Sequence, residues 1–113
     1  KVPLEVAGAF HSPLMEGASR EMEKLLDATE FSEPEVPVIG ATDGRLLKDA
    51  ESVREALKRQ MLSPVRWVAV VERFAKVGVE EVVECGEGGT LVRVLRDFKD
   101  LDFDGKKAEE VLK

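Results

Sequence analysis

Apolar residues recur at helical spacing in several stretches of this chain and at strand spacing in others. After Ser12-Pro13, the residues Leu14, Ala18, Met22, Leu25 and Leu26 fall on one face and predict an amphipathic helix over residues 13–28. Serine followed by proline is itself a start signal, an N-cap and then a first helical residue that needs no N–H partner. Ala50, Val53, Leu57 and Met61 predict a second helix starting near Asp49. Ser63-Pro64 repeats the start signal, and Val65, Val68, Val71, Phe74 and Ala75 predict a third helix that stops at Gly78. "TLVRVLRDF" (90–98) and "KKAEEVLK" (106–113) predict two more. Strand patterns occupy "VPLEV" (2–6), "VEEVVEC" (79–85) and "LDF" (101–103). The stretch "FSEPEVPVIG" (31–40) carries two prolines that mark an edge strand or a strand start. "TDG" (42–44) is a turn, and "GEGG" (86–89) joins a strand to a helix. Strands separated by helices predict an α/β fold with largely parallel strands and flanking helices.

Composition narrows the function. The 113 residues suit one domain or part of one, and no run of 18 apolar residues predicts a membrane span. "KVPLEVAGAF", with Glu5 and no methionine, is not the pattern of a signal peptide. A single cysteine, Cys85, allows no internal disulfide, which fits a reducing, cytoplasmic setting. The net charge of −6 argues against nucleic acid as the main partner. Residues 45–76 nevertheless carry eight basic side chains against four acidic ones. Two readings of that excess stay open, a local surface that steers an anionic partner and an ordinary solvated helix face. The chain has no Asn, and Gln60 is its one Gln, which resembles a heat-adapted composition and draws attention to Gln60.

Chemistry concentrates at "GAFHSPLM" (8–15), which holds the single histidine, His11. One His and one Cys cannot form a tetrahedral zinc site, so no metal is expected. Just past a strand and before a helix, His11 is placed either to shuttle a proton or to bond the helix start. The loop "ECGEGG" (84–89) matches neither a P-loop nor a complete dinucleotide fingerprint, and a tight strand-to-helix turn is the favoured reading over an anion cradle. Cys85 is expected as a small, buried strand residue. No G-x-S-x-G is present, and none of Ser12, Ser19, Ser32, Ser52 or Ser63 sits on a strand-to-helix elbow. A nucleophile for His11 is therefore not visible in this chain.

Three segments together resemble the C-terminal part of the malonyl-CoA:acyl-carrier-protein transacylase family and the related acyltransferase domains of polyketide synthases. "GAFHSPLM" resembles the family's G-P-F-H-S motif, with Ala9 in place of proline. "RQMLSPVRW" (59–67) is similar to R-Q-L-x-x-P-V-x-W. "VVECGEGGTL" (82–91) is similar to E-C-G-P-G-K-V-L, with Glu87 and Gly89 departing from Pro and Lys. The likeness runs in order from Val2 to Phe98.

The resemblance implies the C-terminal section of a hydrolase-like large subdomain, residues 1–113 being that portion of one acyltransferase domain. The nucleophile-bearing N-terminal portion and most of the small subdomain would be absent. It implies that His11 is the general base and acid of a serine–histidine pair and that the backbone carbonyl of Gln60 accepts its imidazole N–H. It also implies that Phe10 lies beside the acyl group and favours malonyl over methylmalonyl. Malonyl-CoA and acyl carrier protein would be substrate and partner, with no cofactor, nucleic acid or membrane involved. A polyketide-synthase acyltransferase domain and a non-catalytic carrier-protein-binding module are the alternatives.

Overall fold

The computed structural model describes residues 7–86, 88–101 and 103–111. The strand expected at residues 2–6 lies outside them. A short 3-10 turn, Pro13–Met15, leads into α1 (Glu16–Ala28). There follow β1 (Val38–Ile39), β2 (Leu46–Leu47), α2 (Ala50–Gln60), α3 (Trp67–Lys76), β3 (Glu81–Glu84), α4 (Thr90–Leu95), β4 (Asp104–Lys107) and α5 (Ala108–Val111). The mixture of helices and strands is the α/β class expected, and β3 and β4 pair in parallel. The chain divides into two compact units, Lys1–Val70 and Val71–Lys113.

In the first unit, α1 packs on α2, and Leu26, Leu47, Ala56 and Val70 are its buried apolar residues. The helix expected over residues 13–28 forms over Glu16–Ala28, after the 3-10 turn, and its buried face differs from the expected stripe. Ser19 and Leu26 point inward, while Leu14 and Leu25 remain 84% and 64% exposed. The apolar stripe is wider than the surface that α2 offers to cover it. α2 begins where Asp49 predicted, because a reciprocal cap forms there: Ser52 N donates to Asp49 Oδ1 (2.7 Å) and Asp49 N to Ser52 Oγ (3.2 Å).

β1 and β2 form an antiparallel hairpin, Val38 opposite Leu47 and Ile39 opposite Leu46. Two-residue strands carry too little alternation to be read in advance. Their turn closes through Gly40 N to Arg45 O and Gly44 N to Gly40 O, both 2.9 Å. Gly44 has φ +67°, and a Cβ there would lie 2.5 Å from the Ala69 carbonyl oxygen. Only glycine fits this position. α3 begins at Trp67 and not at Pro64, contrary to the Ser-Pro signal. The Arg66 N–H is spent on Ala41 O (2.9 Å), and the Arg66 carbonyl accepts the first helical bond, from Val70 N. A tertiary hydrogen bond thus outranks a local cap. The helix ends as expected, with Val79 N on Phe74 O and Gly78 N on Ala75 O, the paired bonds of a Schellman motif.

In the second unit, α4 connects β3 to β4, whose register runs from Glu81 opposite Asp104 to Glu84 opposite Lys107. Val71, Val92 and Leu95 are buried, and Phe74 meets Phe103 edge-on at 6.2 Å between ring centroids. The last strand falls on "DGKK", after the predicted "LDF". Its ladder starts where Asp104 N donates to Glu80 O (2.9 Å). A Cβ on Gly105 would stand 3.1 Å from Val92 Cγ1, so α4 rests directly on this strand's backbone. Glycine and paired lysines leave no apolar alternation for a pattern to detect. The predicted last helix shrinks to Ala108–Val111 among the described residues.

Candidate active site

The loop before α1 folds back on itself at His11. Ser12 takes the extended N-cap geometry but its hydroxyl makes no cap. It donates instead to Ala9 O (2.6 Å), bracing the turn around His11. His11 adopts φ +63° and is the one described non-glycine residue with positive φ. A bulky side chain in the left-handed region costs about 1–2 kcal/mol, so other contacts must hold it there.

One such contact is with α2. His11 Nδ1 lies 2.8 Å from the Gln60 carbonyl oxygen. A carbonyl can only accept, so Nδ1 carries the proton, and in the uncharged ring Nε2 is then the acceptor. The carbonyl is free for this purpose because of how α2 ends. Met61, Leu62 and Ser63 all direct their N–H groups at Arg59 O. The last carbonyl of the helix is left for the imidazole.

Phe10 lies next to His11 in sequence and 59% exposed. Its ring folds over Gly8, where a Cβ would sit 3.1 Å from Phe10 Cε2. Phe10, His11 and Gln60 line a cleft of about 250 Å³ whose other described walls are Met22 and Leu26 of α1, Leu57 of α2 and Met61 just after it. The structure therefore places all three sequence-predicted site residues in one cleft. The four apolar walls were read only as helix faces. Their i, i+4 pairing was the available signal, and it does not distinguish a core from a cleft.

Other expectations change. Cys85 is exposed and lies just beyond β3, because the strand stops at Glu84. Gly86, Gly88 and Gly89 have φ values of 136°, 100° and 68°, in keeping with a tight strand-to-helix turn. Glu84, unremarked in the sequence, receives the Val92 N–H (2.9 Å) at the start of α4. That bond, with those from Leu91 and Thr90 and the charge of Lys107, holds its carboxyl below the ordinary glutamate value against the opposing pull of desolvation.

Part of the basic excess of residues 45–76 is paired within the first unit. Arg54 and Lys58 retain only 21% and 20% side-chain exposure, and both are paired. Arg45 and Arg59 both approach Asp43. Arg54 and Lys58 do not form an open cationic surface. Among the described residues no three His, Cys, Asp or Glu side chains gather as a metal cage. No described helix is long and apolar enough to cross a membrane.

Comparison with known proteins adds the larger context. No family model matches the chain. It is 36% identical over 99 residues to the malonyl CoA-acyl carrier protein transacylase of Salmonella typhimurium, a match covering 88% of this chain and 32% of that protein. It is 41% identical over 95 residues to the polyketide biosynthesis protein ThaF of Burkholderia thailandensis, covering 84% of this chain and 8% of that protein. Among solved structures it is similar to PlMCAT, a malonyl-transacylase in complex with its type II PKS acyl-carrier protein AntF. That likeness has a TM-score of 0.83 and 32% identity, and it covers 95% of this chain and 34% of that one. The chain thus spans at most about a third of the length of these relatives.

Proposed function

Because this chain belongs, over the segment they share, to the malonyl CoA-acyl carrier protein transacylase family, we propose that it supplies the histidine side of an acyl-transfer site. The complete protein moves malonyl from coenzyme A to a serine and then to the phosphopantetheine thiol of acyl carrier protein. The observation that carries this reading is the Nδ1–H bond to Gln60 O, which leaves the Nε2 lone pair of His11 available.

The steps follow from that geometry. His11 Nε2 takes the proton of a serine hydroxyl, supplied by the portion of the fold outside this chain, as its oxygen attacks the thioester carbonyl. The tetrahedral adduct collapses, the C–S bond breaks, and the ring returns the proton to the departing thiolate. In the second half the carrier's thiol gives its proton to Nε2 and attacks the acyl-serine, and the serine oxygen leaves with that proton. Through both halves the Gln60 carbonyl keeps the ring in one tautomer and faces the positive charge it briefly acquires. That carbonyl sits at the C-terminal end of α2, where the helix dipole also favours a cation. Phe10 fills space beside the ring that an α-methyl substituent would need. A cytoplasmic setting belongs to the same reading.

The test is His11→Ala in the complete protein, assayed for malonyl transfer to acyl carrier protein. Loss of general base catalysis should lower the rate by roughly 10²–10⁴-fold. Gln60→Ala should be far milder, since its carbonyl belongs to the backbone. A His11→Ala protein with near-normal rates would refute the assignment. The likeness to a polyketide biosynthesis protein favours a second reading, an acyltransferase domain serving a polyketide assembly line. The identity of the carrier that accepts malonyl separates the two.

A further inference from the structure

The His11–Gln60 bond joins the loop that opens α1 to the last residue of α2. It therefore depends on how far one helix has slid along the other. Advancing α2 by one residue moves it about 1.5 Å along its axis, and a shift of that size directed along the 2.8 Å bond carries it beyond hydrogen-bonding range. The apolar walls do not prevent such a slip. Met22, Leu26, Leu57 and Met61 surround an open cleft, and apolar contact has no preferred direction.

Directional bonds between the same two helices lie close by. Arg54, six residues before Gln60 on α2, donates from Nε to Leu26 O (3.2 Å) and from an Nη to Thr29 O (3.3 Å). Its other Nη pairs with Glu51 on its own helix, and its guanidinium carbon stands 5.2 Å from the Phe31 ring centroid. Every nitrogen of the fork is engaged, and two of them hold carbonyls at the C-terminal end of α1. One turn on, Lys58 Nζ bridges Asp27 of α1 (2.6 Å) and Glu55 of α2 (3.0 Å).

We propose that Arg54, with Lys58 in support, is a positioning residue for acyl transfer: it sets the register of α2 on α1 and so holds the Gln60 carbonyl against the His11 ring. The functional consequence rests on the reading of His11 as the base. The structural consequence does not.

Both are testable in the complete protein labelled with ¹⁵N-histidine, the His11 signals being identified by their loss in His11→Ala. The wild-type ring should show the Nδ1–H tautomer with a slowly exchanging proton. In Arg54→Met that proton should exchange rapidly and the tautomers should mix. Transfer kcat should fall on the order of tenfold to a hundredfold, as expected for a misplaced catalytic group. KM for malonyl-CoA should stay put, because neither Arg54 nor Lys58 lines the cleft. Arg54→Lys keeps the charge but loses the fork, and should fall between the two. If Arg54→Met does not fold, Arg54→Lys carries the same measurement. A lower melting temperature with a wild-type imidazole spectrum and unchanged kcat would make Arg54 a purely structural residue and overturn the proposal. A changed spectrum together with full activity in His11→Ala would uphold the latch and remove the catalytic reading instead.

Discussion

In the first unit, the bonds that shape the candidate site run from side chains to backbone carbonyls far away in sequence: His11 to Gln60, and Arg54 to Leu26 and Thr29. In the second unit, the β3–β4 ladder and a cap do the comparable work, and the Lys106–Glu81 side-chain bond lies within that ladder. A ladder spreads its stabilisation over repeated, equivalent bonds, so the loss of one is tolerated. A site assembled from single bonds between helices has no such redundancy. The first unit also leaves apolar surface on α1 uncovered and holds a non-glycine residue in a costly backbone conformation. The strained non-glycine backbone lies at His11, where the chemistry is proposed, and the regular ladder belongs to the second unit.

The sharpest way to break this contrast is the His11→Ala measurement described above, because it has no counterpart in the second unit. Next in size is Gly44→Ala. The left-handed backbone alone costs about 1–2 kcal/mol for a residue with a Cβ. The contact with the Ala69 carbonyl at 2.5 Å adds to this, because backbone cannot swing aside. We expect a clear drop in unfolding midpoint by chemical denaturation, together with a weakened β1–β2 hairpin. A midpoint equal to wild type would show that the turn relaxes freely.

Phe10→Ser sharpens the comparison within the site. If the ring excludes an α-methyl group, the ratio of kcat/KM for methylmalonyl-CoA to that for malonyl-CoA should rise about tenfold to a hundredfold. The high exposure of Phe10 means that little stability is at stake. An unmoved ratio would assign selectivity to residues outside this chain.

The smallest effect belongs to Glu84. Its carboxyl is held below the ordinary value of 4.5 in the folded state, chiefly by the Val92 N–H. A depressed folded value means that the ionised cap stabilises α4 fully above the ordinary glutamate range. That contribution is lost as pH falls through the lower, folded value. Amide exchange at Val92 should therefore accelerate in acid, and Glu84→Gln should flatten that dependence. Identical acid profiles for the two proteins would remove the cap from the account.

Much of the fold was legible because it is local. Asp49 before α2, Gly78 after α3, and the apolar spacing of α1 and α2 act within one or two turns, so helix existence followed from the residues themselves. The resemblance in "GAFHSPLM" and "RQMLSPVRW" likewise singled out His11, Gln60 and Phe10. Other features depended on partners distant in sequence. Tertiary structure moved the start of α3 to Trp67, since Arg66 found Ala41, and it made a strand of "DGKK", since β3 supplied the ladder. It also converted two cations that composition suggested for a surface into a latch between α1 and α2. A charged side chain's role is set by what faces it, and no local pattern states that. The same holds for the one contact on which the proposed chemistry turns. Sequence could name His11 and Gln60, but 49 positions separate them. Only the packing of α1 against α2, with the winding of α2's last turn onto Arg59, presents that carbonyl to the ring.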